Sequence, residues 1–343
     1  MLYSNLIRPL LFKLPAETAH DITIRQLELL QNSYVGRGFI KLLSGHIEPN
    51  PVQVMGLNFR HPVGLAAGLD KDAKVIRGLF QMGFSHIEVG TLTPKSQPGN
   101  DKPRLFRLKE DHALINRMGF NNEGSIAASR RLKKRDPNWG VVGGNVGRNK
   151  ITNNENAIDD YIASMSHLRD YVDYFTVNIS SPNTPGLREL QQEEVLKNLL
   201  TKISDDNSKS LKPRPLAVKI SPDLSKQEVQ SISRLAVTCG FNGIIGTNTT
   251  VNRIGLKTKA NRIKDAGSGG LSGRPLTRHS TDVVAWIKEA VGDSAAVIGV
   301  GGIFNAQDVI DKRNAGADLV QIYTGFVYNG PSMINNIQKA WIK

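Results

Sequence analysis

Five asparagines, two lysines and a serine stand at or just beyond the ends of apolar runs: Asn116, Asn145, Asn178, Asn183 and Asn248, Lys71 and Lys219, and Ser181. An asparagine side chain offers both a donor and an acceptor, so this set suits a flat heterocycle edged with N–H and C=O groups. The lysines could hold an anionic substrate or stabilise developing negative charge; a Schiff-base lysine is the competing reading. Ser181 lies in ISSPNTPG, with neither GxSxG nor SxxK, which argues against a hydrolase nucleophile. Three glycine-bearing stretches, GVGGI leading into a helix near Asn305, IYTGF at the end of the last apolar run and GGLSGRP at 269–275, offer backbone N–H groups to a phosphate. GxGxxG and GxxxxGK[ST] are both absent, so the phosphate would not sit in a Rossmann unit or a P-loop.

Those residues need a frame that gathers many strand ends. Eight short apolar or β-branched runs supply it: 62–68, 86–90, 141–147, 174–180, 215–220, 243–249, 296–302 and 319–325. Amphipathic stretches at 74–82, 155–169, 193–205, 225–238, 281–290, 306–313 and 332–341 alternate with them. Eight strands, each followed by a helix, predict an α/β protein with a (β/α)8 TIM barrel, whose chemistry sits on the loops after the strands. Two long insertions leave from such ends. Residues 91–122 contain LFRL and ALIN, read as a hairpin turning at KEDH; residues 250–276 read as an active-site loop, too rich in glycine for a helix.

Residues 1–45 fall outside the repeat. Leu2, Leu6, Leu10 and Leu14, with Ile7 and Leu11, form one helical stripe; Ala19, Ile22, Leu27 and Leu30 form a second over 16–31, and GRGFIKLL adds a short apolar patch. They read as a helical cap on the barrel or as an amphipathic pair at a membrane interface, with Arg8, Lys13, Arg25 and Lys41 near headgroups.

The 343 residues carry a net charge of +13, with 39% hydrophobic residues, enough for a sizeable core and a pull on anions. No apolar run reaches the roughly 20 residues of a spanning helix, and Arg8, Pro9 and Lys13 interrupt any secretory apolar region. RRLKKR at 130–135 has no interleaved aromatics and reads as a solvated helix face, so no nucleic-acid partner is expected. The lone Cys239 reads as a buried structural thiol, and seven scattered histidines give no metal site.

The ordered stretches GLAAGLDKD (64–72), EVGTLTPKSQPGNDKPRLFRL (88–108), INRMGFNN (115–122), GGNVGRNK (143–150), NISSPNTPGLR (178–188), GTNTT (246–250), GGLSGRPL (269–276), IGVGGI (298–303) and QIYTGF (321–326) resemble the dihydroorotate dehydrogenase family. That family divides by catalytic base, cysteine in the soluble class and serine in the membrane-associated, quinone-reducing class; Ser181 and the N-terminal helices resemble the second, in its bacterial form. The resemblance implies oxidation of (S)-dihydroorotate to orotate in pyrimidine (UMP) biosynthesis, with one FMN per chain and a membrane quinone as final acceptor. It implies Ser181 as catalytic base. It implies FMN held by Ala66, Ala67, Gly68, Thr91, Asn145, Asn178, Lys219, Thr247, Gly273, Gly302, Tyr323 and Thr324. Substrate falls to Lys71, Asn116, Arg117, Met118, Gly119, Phe120, Asn178, Asn183, Asn248 and Thr249, and the quinone side to His20, Arg107 and Tyr323. Residues 1–45 would be the membrane and quinone extension and 46–343 the FMN-binding barrel, a monomer bound peripherally to the cytoplasmic face of the inner membrane. A soluble FMN dehydrogenase using fumarate or NAD is the runner-up, opposed by Ser181 and residues 1–45; a non-catalytic basic protein binding nucleic acid or anionic lipid is the alternative from another class. A yellow protein with flavin absorbance separates the last from the others.

Overall fold

A computed structural model describes residues 2–342. The barrel strands are β1 (Val63–Leu65), β2 (His86–Leu92), β3 (Val141–Val146), β4 (Tyr174–Asn178), β5 (Leu216–Ile220), β6 (Gly243–Gly246), β7 (Ala296–Val300) and β8 (Leu319–Ile322). Each pairs in parallel with its neighbours in chain order, and β8 returns to β1 through Val320 opposite Val63 to close the barrel. All eight predicted runs become these strands. Residues of β4 and β5 are buried without exception, as expected for strands covered on both faces, which is why they read as continuous apolar runs. The outer helices follow the predicted periodicity, with Ala157–Leu168, Lys226–Thr238 and Ala306–Asn314 within two residues of expectation at most boundaries. Ser225 with Glu228 and Asn305 with Asp308 form reciprocal capping boxes that start two of them.

A small antiparallel hairpin, Val52–Val54 and Leu57–Phe59, closes the amino-terminal end of the barrel. Its two-residue turn places both Met55 and Gly56 at positive φ, the conformation that suits a tight hairpin. Phe59 packs edge-on against the His86 ring at the foot of β2, with centroids 5.2 Å apart. The opposite, carboxyl-terminal end remains open to the loops.

The first insertion folds as predicted, Leu105–Leu108 pairing antiparallel with Ala113–Asn116. The second differs from expectation. Residues Ala260–Ala266 are helical, and Gly270–Gly273 is a third strand on the hairpin, Gly270 opposite Asn116. Glycine is needed for that approach: a Cβ at Gly273 would lie 2.4 Å from the His112 carbonyl oxygen.

Three helices precede the barrel: α1 (Arg8–Leu11, continuing a π-turn over Tyr3–Ile7), α2 (Ala16–Gln31) and α3 (Tyr34–Ser44), the last capped by Ser33 Oγ accepting from Gly36 N at 3.0 Å. Leu27 and Ile40 are buried against the barrel helices, while Leu2, Leu6, Leu10, Leu14 and Leu42 face outward. The Gln31 side chain ties α2 to the barrel, donating to Lys74 O at 2.8 Å and accepting from Gly78 N at 3.0 Å. Glu17 receives Arg104 Nε at 3.0 Å and Nη2 at 2.8 Å. Among the described residues, no helix is long and apolar enough to cross a membrane.

Two minor expectations change. Cys239 is half-buried at the end of Lys226–Thr238, its Sγ 3.5 Å from Thr201 Oγ1. Within RRLKKR, Arg131 folds back onto Asp72 O, and Arg135 Nη2 reaches Asp173 at 2.6 Å, so only part of the run is a solvated face.

Candidate active site

The strand ends converge on one cavity at the open end of the barrel. Ala66, Ala67, Gly68, Thr91, Asn178, Lys219, Thr247, Gly273, Gly302, Tyr323 and Thr324 line it, as do Lys71, Asn116, Met118, Gly119, Phe120, Ser181, Asn183, Asn248 and Thr249. Of the predicted mouth residues, two are absent from this lining. Asn145 lies one layer below: it donates to Glu88 Oε1 at 2.6 Å and accepts from Thr91 Oγ1 at 2.6 Å and Asn178 Nδ2 at 3.2 Å. Arg117 turns away altogether. Its guanidinium donates to Pro103 O at 3.1 and 2.8 Å and sits over the Phe106 ring.

The asparagines hold one another in place. Asn248 Nδ2 reaches Asn178 Oδ1 at 3.3 Å and Ser180 Oγ at 3.0 Å, while Asn183 Nδ2 donates to Asn116 Oδ1 at 2.9 Å, joining the β4 loop to the hairpin. Partly buried side-chain networks of this kind fix geometry, because a partner left unmet out of reach of water costs about 1–3 kcal/mol. Ser181 is buried just beyond β4, its Oγ accepting from Asn183 N at 3.2 Å. This turn aims the hydroxyl without using its proton.

Lys71 and Lys219 reach the cavity with no hydrogen-bond or salt-bridge partner among the described residues. Burial lowers the ammonium pKa of both; Glu88 opposes this at Lys219, and Asp72 at Lys71. A ligand carrying negative charge would relieve both desolvated cations. Asp70, by contrast, is structural: its two oxygens accept from Lys74 N and Val75 N at 2.8 Å, and burial pushes its carboxyl up to about 6.

The glycine cradle lies at the expected strand ends, but without the helix at Asn305. The helix opening at Asn305 is already capped, Phe304 N and Asn305 N donating to Asp308 Oδ2 at 2.7 and 3.1 Å. An anion is therefore left the Gly301–Ile303 backbone with Thr324 and Gly325, which line the cavity. Gly301 and Gly302 have φ of 114° and 70°, and a Cβ at Gly302 would strike Thr277 at 2.3 Å.

A second cavity lies between α1, α2, α3 and the barrel, walled by Ile7, Leu11, Phe12, Leu30, Phe39 and Val327 among others. All three predicted quinone-side residues line it: His20, Arg107 and Tyr323. Arg107 donates to Leu11 O at 3.4 Å and to Leu14 O, and stacks on Phe12. Burial, helped by Lys71, lowers the His20 pKa to about 3, and burial raises that of Tyr323 to about 12, so both are neutral at ordinary pH. His20, Tyr323, Leu105 and Leu114 line both cavities and form the wall between them.

The sequence reading omitted several residues. Glu88 is fully buried, its Oε2 accepting from Gln321 Nε2 at 2.9 Å and Tyr174 Oη at 3.2 Å; an acid inside the apolar run HIEVG was the available signal. Thr184 buries an Oγ1 without a partner among the described residues, three positions after Ser181. Tyr3, whose Oη donates to Val327 O at 2.6 Å, closes the far end of the apolar cavity, and nothing in its spacing announced that role.

A closed parallel barrel whose mouth combines unpaired cations, an asparagine network and a glycine cradle is built as an enzyme for a small anionic heterocycle, with an apolar chamber beside it. Residues 51–343 match the family described as Dihydroorotate dehydrogenase. The chain is 48% identical over 344 residues to a dihydroorotate dehydrogenase (quinone) of Christiangramia forsetii, covering 98% of each chain. It is 45% identical to one of an Arthrobacter species, covering 96% of this chain and 94% of that one. Among solved structures, a DHODH of Eimeria tenella in complex with ferulenol superposes with a TM-score of 0.84 at 36% identity, over 95% of this chain and 90% of that one. The chain belongs to the dihydroorotate dehydrogenase family and is an oxidoreductase.

Proposed function

We propose that this enzyme oxidises (S)-dihydroorotate to orotate in de novo pyrimidine biosynthesis, with one FMN per chain and a membrane quinone as final acceptor. The observation that carries the reading is the pair of unlike cavities sharing the His20–Tyr323 wall. FMN fits the mouth: Lys219, buried and unpaired among the described residues, suits an anionic ring, and a Cβ at Gly302 would strike Thr277 behind the cradle, so glycine there lets the backbone face the cavity with its N–H groups. When bound, it supplies a two-electron acceptor for the substrate's hydride.

The chain's own residues would do the rest. Lys71 pairs with the substrate carboxylate, and Asn116, Asn178, Asn183 and Asn248 satisfy the amides and carbonyls of the pyrimidine ring. Ser181 Oγ takes the proton from the carbon beside the ring carbonyl. A hydroxyl is a weak base, so it must hand its own proton on as it accepts, within a site closed to bulk water. Lys219 would stabilise negative charge on a bound ring, and Asn145 steadies Thr91 and Asn178. Residues 1–45 form the extension that admits quinone and rests on the cytoplasmic face of a bacterial inner membrane, and 46–343 form the FMN-binding barrel; the enzyme works as a monomer.

The test is spectroscopic. Purified protein should be yellow, bleach on anaerobic addition of dihydroorotate and regain colour with a short-chain quinone. A colourless protein, or recovery of colour with fumarate or NAD in place of quinone, overturns the reading.

A further inference from the structure

Lys312 is 1% exposed, deep between helix Thr277–Val291 and its own helix Ala306–Asn314, where no part of the dihydroorotate chemistry requires a cation. Its stem lies on Gly299 of β7, where a Cβ would stand 3.0 Å from Lys312 Cδ. Its ammonium donates to Ser280 Oγ at 2.7 Å, Thr281 Oγ1 at 2.6 Å and Thr277 O at 3.4 Å. Three donations use all three protons of a charged amine; a neutral one has only two.

From that ammonium the network runs to the cradle. Ser280 Oγ accepts from Lys312, and its single proton faces two carbonyls, Gly301 O at 2.9 Å and Thr277 O at 3.1 Å; Lys312 also donates to Thr277 O, which leaves Gly301 O the nearer and less occupied acceptor. Thr277 Oγ1 donates to Gly302 O at 2.7 Å. In a trans peptide the C=O and the following N–H point in opposite directions. Drawing the Gly301 and Gly302 carbonyls back toward Ser280 and Thr277 therefore turns the N–H groups of Gly302 and Ile303 the other way, toward the cavity these residues line.

We propose that Lys312 is a positioning residue for the phosphate end of the cofactor site, holding the Gly301–Ile303 backbone in its anion-accepting orientation through Ser280 and Thr277. The proposal rests on the FMN reading above. The charges facing the ammonium are Asp282 on the neighbouring helix and Asp308 and Asp311 on its own; none is within ion-pair distance among the described residues. Asp308 is already bound to Arg274 and to the helix cap. A dianionic phosphate beyond the cradle would complement the buried charge that these carboxylates only partly offset.

The experiment compares FMN with riboflavin, which lacks the phosphate. Full-length protein stripped of flavin is titrated with each, following flavin fluorescence, for the wild type, Lys312→Met and Ser280→Ala. Lys312→Met should weaken FMN by about tenfold to a hundredfold, the range for losing a charged hydrogen-bond donor, and leave riboflavin within about twofold. Ser280→Ala should move FMN in the same direction by less. Raising the pH toward 8.5 should weaken wild-type FMN binding alone, because burial holds the lysine's pKa at about 7. A folded variant that keeps the wild-type FMN-to-riboflavin preference, or loses both flavins equally, overturns the proposal. Should Lys312→Met fail to fold, Ser280→Ala and the pH series decide by the same criteria. A wild type that binds neither flavin sinks the cofactor reading itself, a different result from an unchanged preference.

Discussion

Four residues separate two chambers of opposite character. On the barrel side, two lysines without a partner among the described residues and a set of linked amides face the cavity; on the helix side, the walls are side chains of Ile7, Leu11, Phe12 and Phe39, and Arg107 spends its donors on the backbone of residues 11 and 14. The barrel mouth is rigid because β4, the hairpin and the asparagine network cross-link it. The apolar chamber is bounded by helices whose outer faces carry Leu6 and Leu10 unburied. A single polar pocket could bind and deprotonate a heterocycle, but it would exclude a lipid-soluble acceptor. On the proposed reading, separate chambers would let each reactant meet walls of its own polarity, with the His20–Tyr323 wall between them.

The largest effect should come from breaking the polar side alone. Ser181→Ala should slow reduction of the enzyme by dihydroorotate at least about 10²-fold, the lower end for a lost general base, with flavin content unchanged. Rapid-mixing absorbance measures it directly. Near-normal reduction would remove Ser181 from the base role and leave the two-chamber arrangement standing.

Next in size is the helix side. Deleting residues 1–45 is a poor instrument, because Gln31, Leu27 and Ile40 belong to the packed body of the barrel. The double substitution Leu6→Glu with Leu10→Glu touches residues that are 57% and 58% exposed, so the fold should persist. Burial of a leucine is worth about 1.5–3 kcal/mol, so binding to phospholipid vesicles should fall by about tenfold or more per residue. Reduction by dihydroorotate should be untouched. Retained vesicle binding in a sedimentation assay would mean that this face does not rest on lipid.

How much of this was legible beforehand follows from what each signal depends on. The eight strands were readable because burial on both faces makes each a continuous apolar run, as in YFTVN. The strand Gly270–Gly273 was not, because its pairing depends on Asn116, far away in sequence, and its glycines carry no period. The strand ends named most of the mouth. Yet spacing cannot say whether a side chain lies on the surface of a cavity or a layer beneath it, so the bond from Asn145 to buried Glu88 was not legible and Glu88 was passed over. The cap at Asn305 was readable from Asn-x-x-Asp, and it removes that helix from the phosphate site.

A smaller effect belongs to neither chamber but to the closed floor of the barrel. His86 is fully buried with both ring nitrogens unpartnered among the described residues, and burial lowers its pKa to about 3; His61, also buried, is lowered to about 4. Between the unfolded value near 6.5 and these, the unfolded chain binds more protons, so stability is complete above about pH 6.5 and is lost as pH falls. The cost approaches about 1.4 kcal/mol per pH unit for each histidine. Asp70 acts in the opposite sense, since its raised pKa lets the folded state take up its proton first. His86→Leu should thus flatten the acid limb of stability by about 1 kcal/mol near pH 5.5 relative to its own value at pH 7.5. Denaturant melts at the two pH values provide the check; parallel pH profiles for variant and wild type would show that His86 takes up its proton without cost.

The smallest expected effect sharpens the boundary of the polar chamber. Arg117 sits between Asn116 and Met118, both of which line the mouth, and the family resemblance implies it on the substrate. Its neighbours face inward on one side of the chain; its own side chain goes to the other, anchored on Pro103 O and the Phe106 ring. The chamber already has a desolvated cation without a partner in Lys71, so a second is not needed to hold one carboxylate. Arg117→Ala should therefore shift the KM for dihydroorotate by no more than about twofold, the range of a substitution away from buried interactions. Lys71→Ala serves as the contrasting variant, weakening binding of orotate measurably in the same titration. If Arg117→Ala instead raised KM as far as Lys71→Ala does, the loop would have to turn over when substrate binds, and the mouth would be a moving part in place of the cross-linked frame described above.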